Sequence, residues 1–140
     1  KKGGSHFNLG LVYLQRRELD AALAQFQEAI SLDSTYAEAN HNIGVVYSLK
    51  ERHDDAGPFF ARAVRAKPNY ALAHENMGNN KLALGQYELA EKAYRRALEL
   101  DENLVEVLHG LGTALIQQGQ VAEGKAARAR AAKLVGEVGG

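Results

Sequence analysis

Glycine recurs at intervals of 34 residues in this chain, at Gly10, Gly44, Gly78 and Gly112. Two further positions keep the same interval and always hold a small residue: Ala29, Ala63, Ala97 and Ala131, and Ala22, Ala56, Ala90 and Gly124. A fixed interval of this length indicates a stacked array, in which each repeat buries its apolar face against its neighbours. We therefore expect a single array over residues 1–140, with repeats at about 3–36, 37–70, 71–104 and 105–138 and the last helix acting as a cap.

The hydrophobic pattern predicts two helices in each repeat. In the second repeat, Ile43 and Val46 follow helical spacing in the first half, and Phe60 and Ala63 follow it in the second half. Pro68 is expected to end the second helix, because proline cannot donate a backbone hydrogen bond. No segment shows the alternation typical of a strand, so the chain is predicted to be all-α.

Local signals add three expectations about the turns. The carboxylate of Asp54 is expected to cap the second helix of the second repeat. The pair Gly57-Pro58 falls in the first turns of that helix and predicts a local distortion. Gly85 and Gly119 are expected to end the first helices of the third and fourth repeats, as glycine commonly does.

Large and small side chains alternate in a way that predicts how the helices pack. The recurrent glycines lack a Cβ and allow the two helices of a pair to approach closely. Phe26, Phe60 and Tyr94 are expected to fill the space between adjacent pairs. Arg128 takes that position in the last repeat, where a charged side chain is expected to solvate the end of the array.

These recurrent residues carry a resemblance to a known family. They are Gly10, Tyr13, Ala22, Phe26 and Ala29, repeated as Gly44, Tyr47, Ala56, Phe60, Ala63 and Pro68. The pattern resembles the tetratricopeptide repeat over about residues 3–138. The resemblance implies a right-handed superhelical solenoid of antiparallel helix pairs, whose first helices line a concave groove. It also implies a non-catalytic scaffold or adaptor that binds a peptide segment of a partner protein in that groove.

By the same resemblance, the groove positions supply a set of candidate peptide-binding residues. They are Phe7, Asn8, Leu11, Glu38, His41, Asn42, Val45, Leu72, Glu75, Asn76 and Asn79. Asn8, Asn42 and Asn76 share one position of the repeat, and an asparagine amide can pair with both the N–H and the C=O of a peptide backbone. This row resembles the asparagine ladder in the repeat region of O-linked N-acetylglucosamine transferase. Gly110 interrupts it in the fourth repeat.

The charge of the predicted groove favours one class of ligand. Family members that clamp a C-terminal carboxylate use lysine and arginine at groove positions, and the matching positions here hold none. Glu38, Glu75 and Glu106 make the groove weakly acidic, so a neutral to weakly basic peptide is expected. Two simpler interpretations stay open: asparagine is common at this position in such repeats, and the glutamates are ordinary solvated residues.

Composition argues against several other function classes. The formal net charge is zero and the pI about 7.2, so nothing favours nucleic-acid binding. No apolar run is long enough for direct membrane insertion. Cysteine is absent, which leaves both cytoplasm and periplasm open. His41 and His109 lie two repeats apart, which is too far for them to bind the same metal ion. The sequence also shows no nucleophile with a matching base. We therefore expect no cofactor, no metal and no catalysis.

Two alternatives to a scaffold remain open from the sequence. The chain begins with Lys1, so we expect it to be a piece of a longer protein, and it would then be the substrate-recruiting repeat region of an enzyme such as a glycosyltransferase. The other alternative is a self-assembling scaffold, in which terminal helices stack between copies.

Overall fold

The computed structural model describes residues 2–139, and side chains as far as residue 136. The described residues form eight α-helices and no strand, which confirms the predicted all-α class. The helices are α1 (Gly4–Gln15), α2 (Leu19–Leu32), α3 (Ala37–Leu49), α4 (His53–Ala66), α5 (Ala71–Ala83), α6 (Tyr87–Leu100), α7 (Val105–Gln117) and α8 (Val121–Gly139). Consecutive helices pack in pairs, α1 with α2, α3 with α4, α5 with α6 and α7 with α8. The odd-numbered helices are called first helices below, and the even-numbered ones second helices.

The chain divides into two compact units. Unit 1 is Lys1–Pro68 and contains the pairs α1–α2 and α3–α4. Unit 2 is Asn69–Gly140 and contains the pairs α5–α6 and α7–α8. A single array through all four repeats stays a prediction.

Unit 1 joins its two helix pairs through an apolar cluster. Ala22 and Phe26 of α2 pack against Ile43 and Val46 of α3, and all four side chains are buried. Burying such side chains stabilises the folded chain by about 1.5–3 kcal/mol for each large one. The second helix of one pair and the first helix of the next thus form the joint, as expected for a stacked repeat.

Unit 2 uses the same joint between its own two pairs. Ala90 and Tyr94 of α6 lie in one buried cluster with Val107, Leu111 and Leu115 of α7. Because the members of this cluster follow the same 34-residue correspondence as those of unit 1, both joints arise from the same repeat positions.

The recurrent glycine of each pair makes room for the large residue of the same pair. A Cβ added at Gly10 would lie 2.6 Å from Cε1 of Phe26, and one added at Gly44 would lie 2.6 Å from Cε1 of Phe60. Such distances are far inside van der Waals contact, so any larger residue would force the helices apart. The expected close approach is therefore confirmed. Phe26 and Phe60 each pack on the glycine of their own pair, and Phe26 also packs against α3 of the next pair.

In the last pair, Arg128 stands at the position that an aromatic residue holds in the other pairs. A Cβ added at Gly112 would lie 2.7 Å from Cγ of Arg128, so the aliphatic stem covers the glycine as the rings do elsewhere. The side chain is exposed, and its guanidinium Nη2 donates to Oγ1 of Thr113 at 2.8 Å. An arginine serves here because its stem packs while its charged end stays solvated.

All four first helices end in the same left-handed turn. The second residue after each helix has positive φ: Arg17 (61°), Glu51 (57°), Gly85 (73°) and Gly119 (88°). At each turn the next N–H bonds back to the carbonyl five residues earlier, as in Glu18 to Tyr13 (2.9 Å) and Gln86 to Lys81 (2.8 Å). This is the Schellman motif, in which the left-handed residue is usually glycine. The predicted role of Gly85 and Gly119 is confirmed, and arginine and glutamate carry the same strained conformation in unit 1.

Two local expectations for α4 are wrong. The helix begins at His53 and its N-cap residue is Arg52, with no side-chain capping bond, so Asp54 lies inside the first turn instead of capping it. An acidic residue there still interacts favourably with the helix dipole. The helix also runs continuously from His53 to Ala66 through Pro58. Pro58 is exposed and lies early in the helix, where one missing donor leaves a carbonyl that water can reach.

Candidate peptide-binding faces

In unit 1 the candidate residues lie on α1 and α3, and they differ in what they offer to a ligand. Leu11 and Val45 line one open depression of about 510 Å³ together with Leu14 and Leu49. Two helices from consecutive pairs thus share a largely apolar depression, which Gln15 and Arg17 also line; a ligand contact at Leu11 and Val45 stays a prediction. Asn8 is exposed at the side of α1.

Phe7 belongs partly to the packing of unit 1. Its ring lies 5.8 Å from the ring of Phe26 and 5.0 Å from that of Tyr36, measured between centroids. The side chain is half-buried, so only part of the ring remains available to a ligand. Such a residue contributes more to the shape of the face than to specific recognition.

His41 is buried, and its predicted role as a ligand contact is corrected here. Only 3% of the residue is exposed, and its ring packs 5.7 Å from the ring of Phe60. Desolvation lowers the pKa of His41 to about 4, against a smaller opposing effect of Glu38. His41 is therefore a neutral packing residue at physiological pH.

The polar residues of α3 are partly engaged with their own helix. Asn42 donates from Nδ2 to the carbonyl oxygen of Glu38 at 2.8 Å, and the amide is half-buried. The Glu38 carboxylate lies 4.0 Å from Nζ of Lys67. Glu38 is thus only loosely paired, since an exposed ion pair at this distance contributes little.

In unit 2 the candidate residues lie on α5, and Glu106 of the neighbouring α7 lies near them. Leu72 is 49% exposed at the start of α5. Glu75 is half-buried, and desolvation together with the nearby Glu106 raises its pKa above the usual value. Two glutamates from successive first helices therefore lie close enough to repel each other.

Two of the three asparagines of α5, Asn76 and Asn79, form a short hydrogen-bonded chain with a buried tyrosine. Oη of Tyr94 donates to Oδ1 of Asn79 at 2.5 Å, and Nδ2 of Asn79 donates to Oδ1 of Asn76 at 3.4 Å. Tyr94 itself is 0% exposed, and desolvation followed by the charge of Glu75 raises its pKa to about 12. The tyrosine hydroxyl therefore stays protonated and acts as a donor toward the face.

The structure also shows why the asparagine row stops at Gly110. A Cβ added at Gly110 would lie 2.5 Å from Cζ and 2.7 Å from Oη of Tyr94. Phe26 and Phe60 carry no hydroxyl, and the corresponding positions hold Asn42 and Asn76. Glycine is thus needed at 110 because the end of the Tyr94 side chain, ring carbon Cζ as well as the hydroxyl, lies where a Cβ would be. Sequence reasoning treated Tyr94 as a packing residue only, and the departure from phenylalanine was the signal it overlooked.

The described residues contain no cluster of histidine, aspartate and glutamate side chains suited to hold a metal ion. Among the same residues, no helix has the length and apolar character needed to cross a membrane.

Comparison with known proteins identifies the repeat. Three family models match the chain, described as tetratricopeptide repeat or TPR repeat, over residues 10–50, 35–103 and 76–135. The chain is a tetratricopeptide repeat protein. No curated protein was found to match it.

Solved structures with this fold are similar along most of the chain. A crystal structure of MamA matches with a TM-score of 0.92 at 20% identity, covering 98% of this chain and 80% of that one. YrrB, described as a TPR protein with an unusual peptide-binding site, matches at 30% identity and a TM-score of 0.86, covering 92% of this chain and 66% of that one. The first TPR domain of Spaghetti (RPAP3), bound to the HSP90 peptide SRMEEVD, matches at 23% identity and a TM-score of 0.82, covering 84% and 94%. These likenesses agree with the predicted helical repeat fold.

Proposed function

We propose that this protein is a non-catalytic interaction module that binds a neutral to weakly basic peptide segment of a partner on the exposed faces of its first helices. The observation that carries the proposal is that some positions of the repeat serve packing and others remain exposed. Glycine and aromatic positions are occupied in packing, whereas the first helices leave amides, apolar side chains and glutamates accessible. Backbone-pairing amides beside apolar contacts are what an extended peptide requires.

Two similar structures support a peptide ligand. YrrB is described as having a peptide-binding site, and the RPAP3 domain is bound to a peptide. The RPAP3 peptide, SRMEEVD, is rich in acidic residues. The candidate faces here carry Glu38, Glu75 and Glu106, so we infer the opposite charge preference for this chain.

The test is a titration with three fluorescent peptides of matched length that differ only in carrying lysine, glutamine or glutamate at the polar positions. We expect the lysine and glutamine peptides to bind more tightly than the glutamate peptide. We also expect the preference for lysine to weaken in Glu75→Gln and Glu106→Gln, because the charge that attracts the lysine is removed. Tightest binding of the glutamate peptide would refute the proposal.

The site is tested by replacing the amides. The double variant Asn42→Ala/Asn76→Ala is expected to lose binding, and the matched control is Asn69→Ala/Asn103→Ala, which removes two exposed asparagines outside the first helices. Equal loss in both pairs would show that the amide row is not the site. The resemblance of this row to the transferase repeat region, and with it the enzyme-fragment alternative, stays a prediction. Self-association also stays a prediction, which sedimentation at several concentrations tests.

A further inference from the structure

Two pairs of residues in unit 2 are joined by a hydrogen bond, whereas the equivalent pairs in unit 1 are apolar. In each repeat, one residue of the first helix stands 15 positions before the large residue of the second helix. The four pairs are Leu11 and Phe26, Val45 and Phe60, Asn79 and Tyr94, and Thr113 and Arg128. The first two pairs are apolar. The last two are hydrogen-bonded, from Tyr94 Oη to Asn79 Oδ1 (2.5 Å) and from Arg128 Nη2 to Thr113 Oγ1 (2.8 Å).

The same bond therefore occurs twice, in two successive pairs, between equivalent positions. In both cases a donor from the second helix reaches past the recurrent glycine and meets an oxygen on the first-helix face. When the second-helix residue is phenylalanine, the first-helix partner is leucine or valine instead. The polar partners of unit 2 are thus matched to each other, as the apolar partners of unit 1 are.

Each of these bonds decides which way its acceptor residue turns. An asparagine amide can be turned by half a revolution at little steric cost, so its hydrogen bonds decide which end faces outward. The tyrosine hydroxyl, which stays protonated, holds Oδ1 of Asn79 inward and leaves Nδ2 as the outward group, one of whose two protons goes to Oδ1 of Asn76 at 3.4 Å. Thr113 differs, since its Oγ1 accepts from Arg128 and donates its single proton to the His109 carbonyl at 3.2 Å, so it offers no donor to a ligand.

We propose that Tyr94 is a positioning residue that turns the Nδ2 group of Asn79 outward, so that the first-helix face of unit 2 offers a hydrogen-bond donor to a backbone carbonyl oxygen of a bound peptide. The proposal rests on the peptide-binding function proposed above. It extends that function by assigning a specificity role to Tyr94, which is buried and touches no ligand. Gly110 takes part as well, because a Cβ there would lie 2.5 Å from Cζ and 2.7 Å from Oη of Tyr94.

The first test uses the free protein and needs no ligand. In Tyr94→Phe the fold should persist, because phenylalanine occupies the equivalent positions 26 and 60. The side-chain amide signals of Asn79 and Asn76 in nitrogen-15 NMR spectra should shift, and that of Asn42 in unit 1 should not. Tyr47→Phe, which removes a hydroxyl from α3, serves as the matched control and should leave Asn79 unchanged. Unchanged Asn79 signals in Tyr94→Phe would overturn the proposal.

The second test uses the glutamine peptide defined above and an analogue in which one backbone carbonyl at a time is replaced by a methylene group. Tyr94→Phe is expected to weaken binding of the glutamine peptide about fivefold, the usual worth of one hydrogen bond. The penalty for removing the critical carbonyl should shrink by a similar factor, because Asn79 is then free to turn. If Asn76→Ala/Asn79→Ala abolishes binding while Tyr94→Phe has no effect, the positioning role is wrong and the binding site stands. If neither variant changes the affinity, the proposed site in unit 2 is wrong, and the NMR result still decides the role of Tyr94.

Discussion

The left-handed turn that ends each first helix can be tested with two substitutions that should change the free energy of unfolding in opposite directions. Glu51 has φ of 57° in unit 1, and the equivalent Gly85 has φ of 73° in unit 2. This conformation destabilises the folded state by about 1–2 kcal/mol when the residue has a Cβ, because the Cβ approaches the following carbonyl oxygen. Glycine avoids that cost but gains about 0.4–1 kcal/mol of entropy in the unfolded chain. We therefore expect Glu51→Gly to raise the free energy of unfolding by about 0.5–1 kcal/mol.

The reverse change, Gly85→Ala, should lower the free energy of unfolding by a similar amount. Nothing lies within 4 Å of a Cβ added at Gly85, so only the backbone conformation opposes the alanine. The assay is urea unfolding followed by circular dichroism, with Glu28→Gly as control. Glu28 is exposed in the middle of α2, where glycine should cost about 1 kcal/mol. Destabilisation by Glu51→Gly equal to that by Glu28→Gly would refute the reasoning, because it would mean that the turn carries no strain.

Two further predictions concern the packing of unit 1. Gly44→Ala should lower the free energy of unfolding in urea by about 1–3 kcal/mol, since its Cβ would lie 2.6 Å from Phe60. The control is Gly4→Ala, whose Cβ would meet nothing within 4 Å and should leave the stability unchanged. Equal effects of the two substitutions would exclude a close approach at Gly44. The folded protein keeps His41 neutral with a pKa of about 4 against an ordinary 6.5, so the unfolded chain binds more protons in that window. Stability should therefore fall, by up to about 3 kcal/mol, as the pH is lowered from 6.5 to 4. In His41→Phe, which copies Phe7 of the first repeat, that part of the pH dependence should vanish, and its persistence would exclude His41 as the cause.

The repeat period predicted much of the fold because it reports side-chain volume. Gly44 and Phe60 recur with their equivalents at the same step, and a missing Cβ can be matched to a ring without knowing any coordinates. The helix pairs and the turn glycines Gly85 and Gly119 followed from the same periodicity. The distortion expected at Pro58 did not follow, because a proline early in a helix and on its exposed side removes only a bond that water can replace.

The candidate site was less predictable, because equivalent positions in a repeat need not have equivalent surroundings. Phe7, His41, Glu75 and His109 occupy one position of the repeat, yet the first and third are half-buried, the second is buried and the fourth is exposed. Burial depends on the neighbours that each helix meets, and those neighbours differ from pair to pair. The period therefore identified the face but not which of its side chains a ligand can reach.

The sequence alone determined that this protein is built from four helix pairs with glycine opposite a large residue, since both facts depend on residue size and spacing. Only the tertiary structure decided that Tyr94 reaches Asn79, that Gly110 makes room for the end of its side chain, and that Arg17 and Glu51 adopt a glycine conformation. Hydrogen-bond direction and backbone strain depend on which atoms meet in space, and the order of residues along the chain does not specify that.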